Sequence, residues 1–226
     1  MAKKDRYIIK DREQSLTAEA FRALCASIQD AQPIGKVQTV LFVGANEGES
    51  AAMTAVNAAA TLAYAGKKIV LIDCDLRRPI LSSEFCLQNF GLTNLIEGHA
   101  SAKVILQETW VPNLKIITTG PLPIGPISIL SNTKMRKLLD ELRNRADFIF
   151  LTSSPILVKE GYVISDACVL ASKVDGVVMV IDSRKTKPKA AQKVLELLNG
   201  AKANIIGTVL NDVTNYNEIV YHTETN

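Results

Sequence analysis

The chain has 226 residues, 47% of them apolar, with 26 lysines and arginines against 23 acids and a formal net charge of +3. That length fits one domain with a core of its own, and a charge so close to balance excludes the basic footprint of a nucleic-acid binder. No apolar run nears the ~20 residues that a membrane helix needs, and the basic start Met1–Arg6 is not followed by the apolar stretch of a secretion signal.

In chain order, Ser15–Asp30 reads as a helix, because Leu16, Ala20, Leu24 and Ile28 recur every four residues with Phe21 on the same side. Pro33-Ile34-Gly35 breaks the pattern. Val37–Val43 is an apolar strand, and Met53–Ala65 is an alanine-rich helix ended by Gly66. Lys67–Asp73 is the next strand. Gly91–Gly98 and Ala102–Glu108 are short helices, and Asn113–Thr118 is a strand. Gly120–Pro126 is a proline-stiffened loop and Ile127–Ala146 a helix. The strands Asp147–Ser153, Asp175–Ile181 and Asn204–Leu210 are separated by helices over Ile164–Ala171 and Lys187–Leu198.

Apolar strands alternating with amphipathic helices predict an α/β fold, a doubly wound and mostly parallel sheet with helices on both faces. Ligands of such sheets sit beyond the carboxyl ends of the strands. Gly44–Ala52, Asp73–Pro79 and Thr152–Pro155 all fall there. The expected division is an N-terminal arm over 1–14, a P-loop-like domain over 15–213 and a flexible polar tail over 214–226. The four cysteines, Cys25, Cys74, Cys86 and Cys168, form no CxxC pair and read as buried thiols rather than metal ligands. His99 and His222 are isolated. Lys3, Lys4, Arg6 and Lys10 read as a solvated arm, with an anionic membrane as the alternative.

Gly44-Ala45-Asn46-Glu47-Gly48-Glu49-Ser50-Ala51-Ala52-Met53 stands between a buried strand and a helix, the context of a phosphate-cradling loop. It contains no lysine, the side chain that neutralises bound phosphates. A hydrogen bond to a charged group contributes about 1.5–3 kcal/mol, so losing that lysine weakens phosphate binding about 10- to 100-fold. Asp73, Asp75, Glu47 and Glu49 repel phosphate unless a metal ion or Arg77 and Arg78 screen them.

Leu71-Ile72-Asp73-Cys74-Asp75-Leu76-Arg77-Arg78-Pro79 resembles the second acidic motif of the bacterial tyrosine kinases of capsule and exopolysaccharide biosynthesis, P-loop ATPases related to the MinD and ParA proteins. Other segments are similar to the same family: Glu19-Ala20-Phe21-Arg22-Ala23-Leu24, Thr119–Pro123 with Leu130-Ser131 and Met135, Asp166-Ala167, Asp175-Gly176, and Gly207-Thr208-Val209-Leu210-Asn211. The likeness runs over about Ser15–Val213. It implies a protein-tyrosine kinase, ATP plus protein tyrosine giving ADP plus phosphotyrosine, with Mg-ATP as cofactor. Asp73 and Asp75 stand at its catalytic positions. Gly48, Glu49, Ser50, Ala51, Ala52, Met53, Thr152 and Asn211 stand at its nucleotide-binding positions, where Asn211 either faces the adenine or caps its strand end and Thr152, with Ser153, either binds an anion or fills the loop.

The departures cluster on the nucleotide. A gapless register pairs Gly48-Glu49-Ser50-Ala51-Ala52-Met53 with the family's Gly-Glu-Gly-Lys-Ser-Thr. Ala51 then replaces the lysine, Ala52 the magnesium-holding serine and Ser50 a glycine. A second register sets Glu49 at the lysine position and needs extra residues in the following helix. Thr152 stands where the third motif has its magnesium-organising aspartate. Ile124, Gly125 and Ser128 replace Pro, Asn and Glu of the proline loop, and the spacing departs around Glu160–Val163. Cys25 replaces an arginine of the ring-assembly pattern begun by Glu19 and Arg22. The tyrosine-rich tail is reduced to Tyr216 and Tyr221, phosphoacceptors by resemblance or plain exposed tyrosines. Arg77 and Arg78 read either as interface and phosphate-screening groups or as partners of carboxylates.

These readings predict a pseudokinase with no bound nucleotide or metal, regulating polysaccharide export. The resemblance implies a membrane-bound polysaccharide co-polymerase that activates the chain, an active kinase paralogue as a further partner, and a cytoplasmic place at the inner face of the cell membrane through that partner. Two alternatives remain. One is an active autokinase using another lysine, such as Lys67, Lys159 or one from a partner, with Mg-ATP. The other is a MinD- or ParA-like positioning ATPase.

Overall fold

A computed structural model describes residues 15–31, 37–158, 163–211 and 220–222. Among them, eight strands form one sheet in the order β3-β4-β2-β5-β1-β6-β7-β8. The central six, β4 (Leu114–Ile117), β2 (Ile69–Ile72), β5 (Phe148–Thr152), β1 (Thr39–Gly44), β6 (Gly176–Asp182) and β7 (Ile205–Asn211), are parallel. Each edge ends in a short antiparallel strand, β3 (Gln107–Glu108) on β4 and β8 (Val220–His222) on β7. The expected doubly wound, mostly parallel sheet is what the chain forms.

The strands are apolar at successive positions because both faces are covered. On one face, α1 (Leu16–Asp30) and α2 (Ala51–Tyr64) pack over Val40, Phe42, Leu71, Phe150 and Val178. Ala55, Ala58, Ala59 and Ala63 of α2 are fully buried, and their short side chains let α1 and the sheet approach α2 from both sides. On the other face, α4 (Leu92–Glu97), α5 (Ala102–Ile105), α6 (Pro126–Ser131), α7 (Thr133–Arg143), α8 (Asp166–Ala171) and α9 (Pro188–Gly200) enclose Leu41, Val43, Ile72, Ile149 and Val177. A single-turn helix, α3 (Leu81–Glu84), follows the acidic segment.

Several boundaries differ from expectation. The helix expected over Ile127–Ala146 is two, α6 and α7. Asn132 lies between them in an extended conformation (φ −58°, ψ 143°), and its side chain accepts from the amide of Lys134 at 2.9 Å, starting α7 afresh. The helix expected over Ala102–Glu108 stops at Ile105 and gives way to β3. Helix α2 begins at Ala51, two residues earlier than its apolar pattern suggests. Of the stretch expected as a polar tail, Val220–His222 pairs with β7, with Tyr221 opposite Val209. The arm over 1–14, the Pro33-Ile34-Gly35 break, Lys159 and Tyr216 lie outside the described residues.

The amino end of the sheet is closed by a polar clamp. Arg143 grips Asp175 through two 2.7 Å hydrogen bonds, and the Gln38 and Thr39 amides donate to the same carboxylate at 2.9 and 2.8 Å. Gln38 Nε2 donates to the carbonyls of Arg143 and Ala146. Burial alone pushes the Asp175 carboxyl up. The Arg143 fork and the Thr39 and Gln38 groups outweigh it and hold the pKa down to about 2.

Candidate functional site

Gly48–Met53, Asp73, Asp75, Arg77, Arg78, Thr152 and Asn211 gather at the carboxyl end of the sheet, because β1, β2, β5, β6 and β7 run the same way. β1 lies between β5 and β6, so the loops after those two strands flank the loop after β1 on either side.

That loop turns through Gly48 (φ 80°) and Ser50 (φ 58°), both left-handed. Gly48 takes this shape freely, whereas Ser50 pays for its Cβ. Ser50 gives α2 no side-chain cap. Ala51, Ala52 and Met53 form the first turn of α2 and are half-buried. None of the three carries a cation or a hydroxyl. Gly48 is exposed, and Glu49 between the two left-handed residues is only 1% exposed.

Glu49 folds inward. Its Oε1 accepts from the Thr186 hydroxyl and from Asn46 Nδ2 at 3.3 Å, and Asn46 Nδ2 also reaches Thr186 Oγ1 at 2.9 Å. Its Oε2 is buried with no partner among the described residues and lies against Gly44. Burial pushes the Glu49 carboxyl up, against the pull of backbone amides at Asn46, Ala45 and Asp182 and of the Asn46 side chain. A side chain aimed into the protein in this way is no stand-in for a phosphate-facing lysine.

Asp73, at the end of β2, is 1% exposed and saturated. Its Oδ2 accepts from the Ile80 and Leu81 amides at 3.0 Å each. Its Oδ1 accepts from Thr152 Oγ1 at 2.9 Å and the Asp75 amide at 3.3 Å. Burial pushes its pKa up to about 6, helped by the Asp75 charge and opposed by those donors. Thr152 is fully buried and its hydroxyl is spent on Asp73. Asp75 accepts from the Arg77 and Arg78 amides at 3.2 and 3.0 Å and from Ser154 Oγ at 2.6 Å, all on Oδ1. The two carboxylates therefore shape the turn from β2 to α3.

Both arginines are paired within the chain. Arg77 Nε reaches the fully buried Asp166 at 2.8 Å, and Arg78 Nη1 lies 3.3 Å from Glu47 of the loop. Asn211 closes β7 opposite Asp182, and its carbonyl accepts from Ser183. Glu19 and Arg22 form an exposed 2.7 Å pair on α1, and the neighbouring Cys25 is buried with its thiol on the carbonyl of Ala58 of α2. Burial pushes that thiol up to about 12. Lys67 begins the run into β2 at the opposite end of the sheet from the loop, away from the groups gathered there.

Sequence reasoning missed two groups at the loop, Lys185 and Thr186, whereas Ser154, which bonds Asp75, fell within the strand-end segment Thr152–Pro155. Lys185 Nζ sits 3.4 Å from the Gly48 carbonyl and 3.1 Å from Asp182 Oδ2. The rule that ligands gather beyond the carboxyl ends of neighbouring strands applies equally to the turn after β6 and would have picked out Lys185 and Thr186. A recess of about 230 Å³ lies elsewhere, between α4 and α7, beside Leu95, Gly98, Lys134 and Leu138. There Lys134 Nζ is bonded to the Ile96 carbonyl at 2.8 Å, closing the end of α4.

No protein-family model matches the chain. The tyrosine-protein kinase YwqD of Bacillus subtilis is 33% identical over 199 residues, covering 88% of this chain and 82% of that protein. The putative tyrosine-protein kinase CapB of Staphylococcus aureus is 32% identical, covering 93% and 92%. Among solved structures, the kinase domain of the Escherichia coli tyrosine kinase ETK superposes with a TM-score of 0.85 at 26% identity over 91% of this chain and 79% of that one. The septum site-determining protein MinD of Pyrococcus horikoshii, at 19% identity and a TM-score of 0.63, shares the fold. With a third of its residues shared along nearly the full length of such kinases, and on the same fold, the chain belongs to the bacterial tyrosine-protein kinase family.

Proposed function

We propose that this chain is a pseudokinase of capsule or exopolysaccharide biosynthesis, working through its surface as a regulatory or binding partner with impaired ATP binding. The observation that carries this reading is the pairing of Thr152 with Asp73 beneath a helix that opens Ala51-Ala52. A magnesium triphosphate brings about three to four negative charges, which a working site balances with a lysine, a metal ion and the carboxylates that hold the metal. The residues present do not fit that group. Positions 51 and 52 offer methyl groups, and the Asp73 oxygens already take four donors. Arg77 and Arg78 are engaged with Asp166 and Glu47. The helical start at Ala51 and the left-handed Ser50 support the register in which Ala51 replaces the lysine.

In this reading Asp73 and Asp75 are retained for structure, and Gly48, Glu49, Ser50, Ala51, Ala52, Met53, Thr152 and Asn211 frame a degenerate cradle. The partner is a membrane-bound co-polymerase, with an active kinase as a second candidate. The chain itself, in which no described helix is long and apolar enough to cross a membrane, is held at the inner face of the membrane through that partner. Titration calorimetry tests it. No heat of Mg-ATP binding is expected below about 1 mM, whereas a micromolar affinity would overturn the reading.

One observation favours a second reading. Lys185 reaches the rim of the loop from a neighbouring strand, so an active autokinase with a relocated lysine is the competitor. It requires transfer of label from ATP to Tyr216, Tyr221 or a supplied protein, and loss of that transfer in Lys185→Met. No label on the parent chain removes it.

A further inference from the structure

The carboxyl end of the sheet carries two exposed features that nucleotide chemistry does not use. After β6, residues 184–193 hold five cations, Arg184, Lys185, Lys187, Lys189 and Lys193, and no carboxylate. Lys185 is turned to Asp182 and the loop, while Lys187, Lys189 and Lys193 are exposed along the entry and first turns of α9. Four strand positions away, the loop after β4 holds Leu122 at 58% exposed and Ile124 fully exposed, with Ile127 of α6 at 44%. At a strand spacing of about 4.8 Å the two strands that lead into these features lie about 19 Å apart. Pro121, Pro123 and Pro126 stiffen the apolar tip, so presenting it costs little further chain entropy.

From this juxtaposition we infer that the carboxyl end of the sheet docks directly on an anionic lipid surface, with Lys187, Lys189 and Lys193 among the headgroups and Leu122 and Ile124 dipping below them. The separation of the features favours a bilayer over an acidic peptide. A peptide wants charge and apolar pockets interleaved along one groove, whereas a broad fluid surface meets a cationic flank and an aliphatic flank together. The charge carriers suit it as well. Lysines are flexible, hydrated point charges that follow mobile headgroups, where fixed recognition of one carboxylate favours arginine. This contact is independent of nucleotide and adds to the hold that the partner supplies.

The test is co-sedimentation of the full chain with vesicles of phosphatidylglycerol and phosphatidylcholine, set against phosphatidylcholine alone. Partition into the anionic vesicles alone is expected, weakening as salt shortens the screening length. The triple variant K187E/K189E/K193E lowers that partition by at least about 100-fold. Ile124→Ser lowers it about 3- to 10-fold and leaves the salt dependence unchanged. K3E/K4E/R6E, in the N-terminal arm, lowers it less than the triple variant does. No preference for the anionic vesicles, or an unchanged partition in the triple variant, overturns the inference. So does binding to soluble poly-glutamate with none to vesicles, which transfers the lysine strip to a protein partner. Since no nucleotide enters the assay, its failure leaves the pseudokinase reading to stand or fall on calorimetry.

Discussion

Asp175 ties β6 to β1 and to α7 through one carboxylate, and its chemistry sets a pH dependence. With a pKa of about 2 in the folded chain against an ordinary value of about 3.9, its ionised form favours folding. That contribution is complete above about pH 5 and is lost as pH falls through the folded pKa, a loss of about 2 kcal/mol. Denaturant melts of Asp175→Asn should show this part of the acid destabilisation missing, and at neutral pH the variant should be weaker by at least about 2 kcal/mol, since Arg143 loses its counter-charge. Thr152 makes a second residue-scale case. Thr152→Val removes a donor from the buried Asp73, and stability should fall by about 1–3 kcal/mol. The fall should be larger at pH 8 than at pH 5. Asp73 titrates near about 6, so only the higher pH leaves an unrelieved charge. The positions of Asp73, Asp75 and Thr152 at strand ends were legible from the sequence. Their partners were not, because a hydrogen bond between residues 73 and 152 depends on β2 and β5 lying side by side, which only the assembled sheet provides.

At the scale of elements, periodicity located the six central strands and the long helices, since burial on both faces leaves an uninterrupted apolar signal. It failed where the signal is short. β3 and β8 have two and three residues, too few for alternation to show. The split between α6 and α7 hangs on Asn132, whose capping competes with the apolar pattern that continues through it. The loop into α2 carries an element-scale strain. Ser50 holds φ 58°, a conformation in which glycine escapes the Cβ penalty. Ser50→Gly should therefore stabilise the chain by about 0.5–1 kcal/mol and raise the melting temperature by about 1–4 °C, read by calorimetry. A drop would mean that the Ser50 hydroxyl has a role beyond filling space.

For the whole molecule, the pseudokinase reading makes the nucleotide irrelevant to stability. A ligand that binds the folded state at a hundred times its dissociation constant adds about 2.7 kcal/mol. At about 1 mM Mg-ATP a working site of micromolar affinity would gain more than that, moving the melting temperature by about 5 °C or more. This chain should move by less than about 1 °C under the same conditions. The shape of the fold and its family were legible along nearly the whole sequence, because Leu71–Pro79 and the strand–helix alternation carry the family's pattern. The inward fold of Glu49 was illegible, and the strand-end rule could have drawn Lys185 to the site without showing its contact with Gly48, since both contacts depend on the β6 turn lying beside the loop.

In the pseudokinase reading proposed above, the bond from Thr152 to Asp73 also works as a ratchet. Writing an aspartate back at position 152 would set two acids about 3 Å apart in a dry interior, where a like charge makes one of them protonate, and the amides of residues 80 and 81 would still hold the other in place. Repair would have to bring the lysine, the hydroxyl and a cation at nearly the same time. Under that reading, an aspartate alone at position 152 lowers stability before it contributes to activity, and the exterior is left as the surface on which function can change.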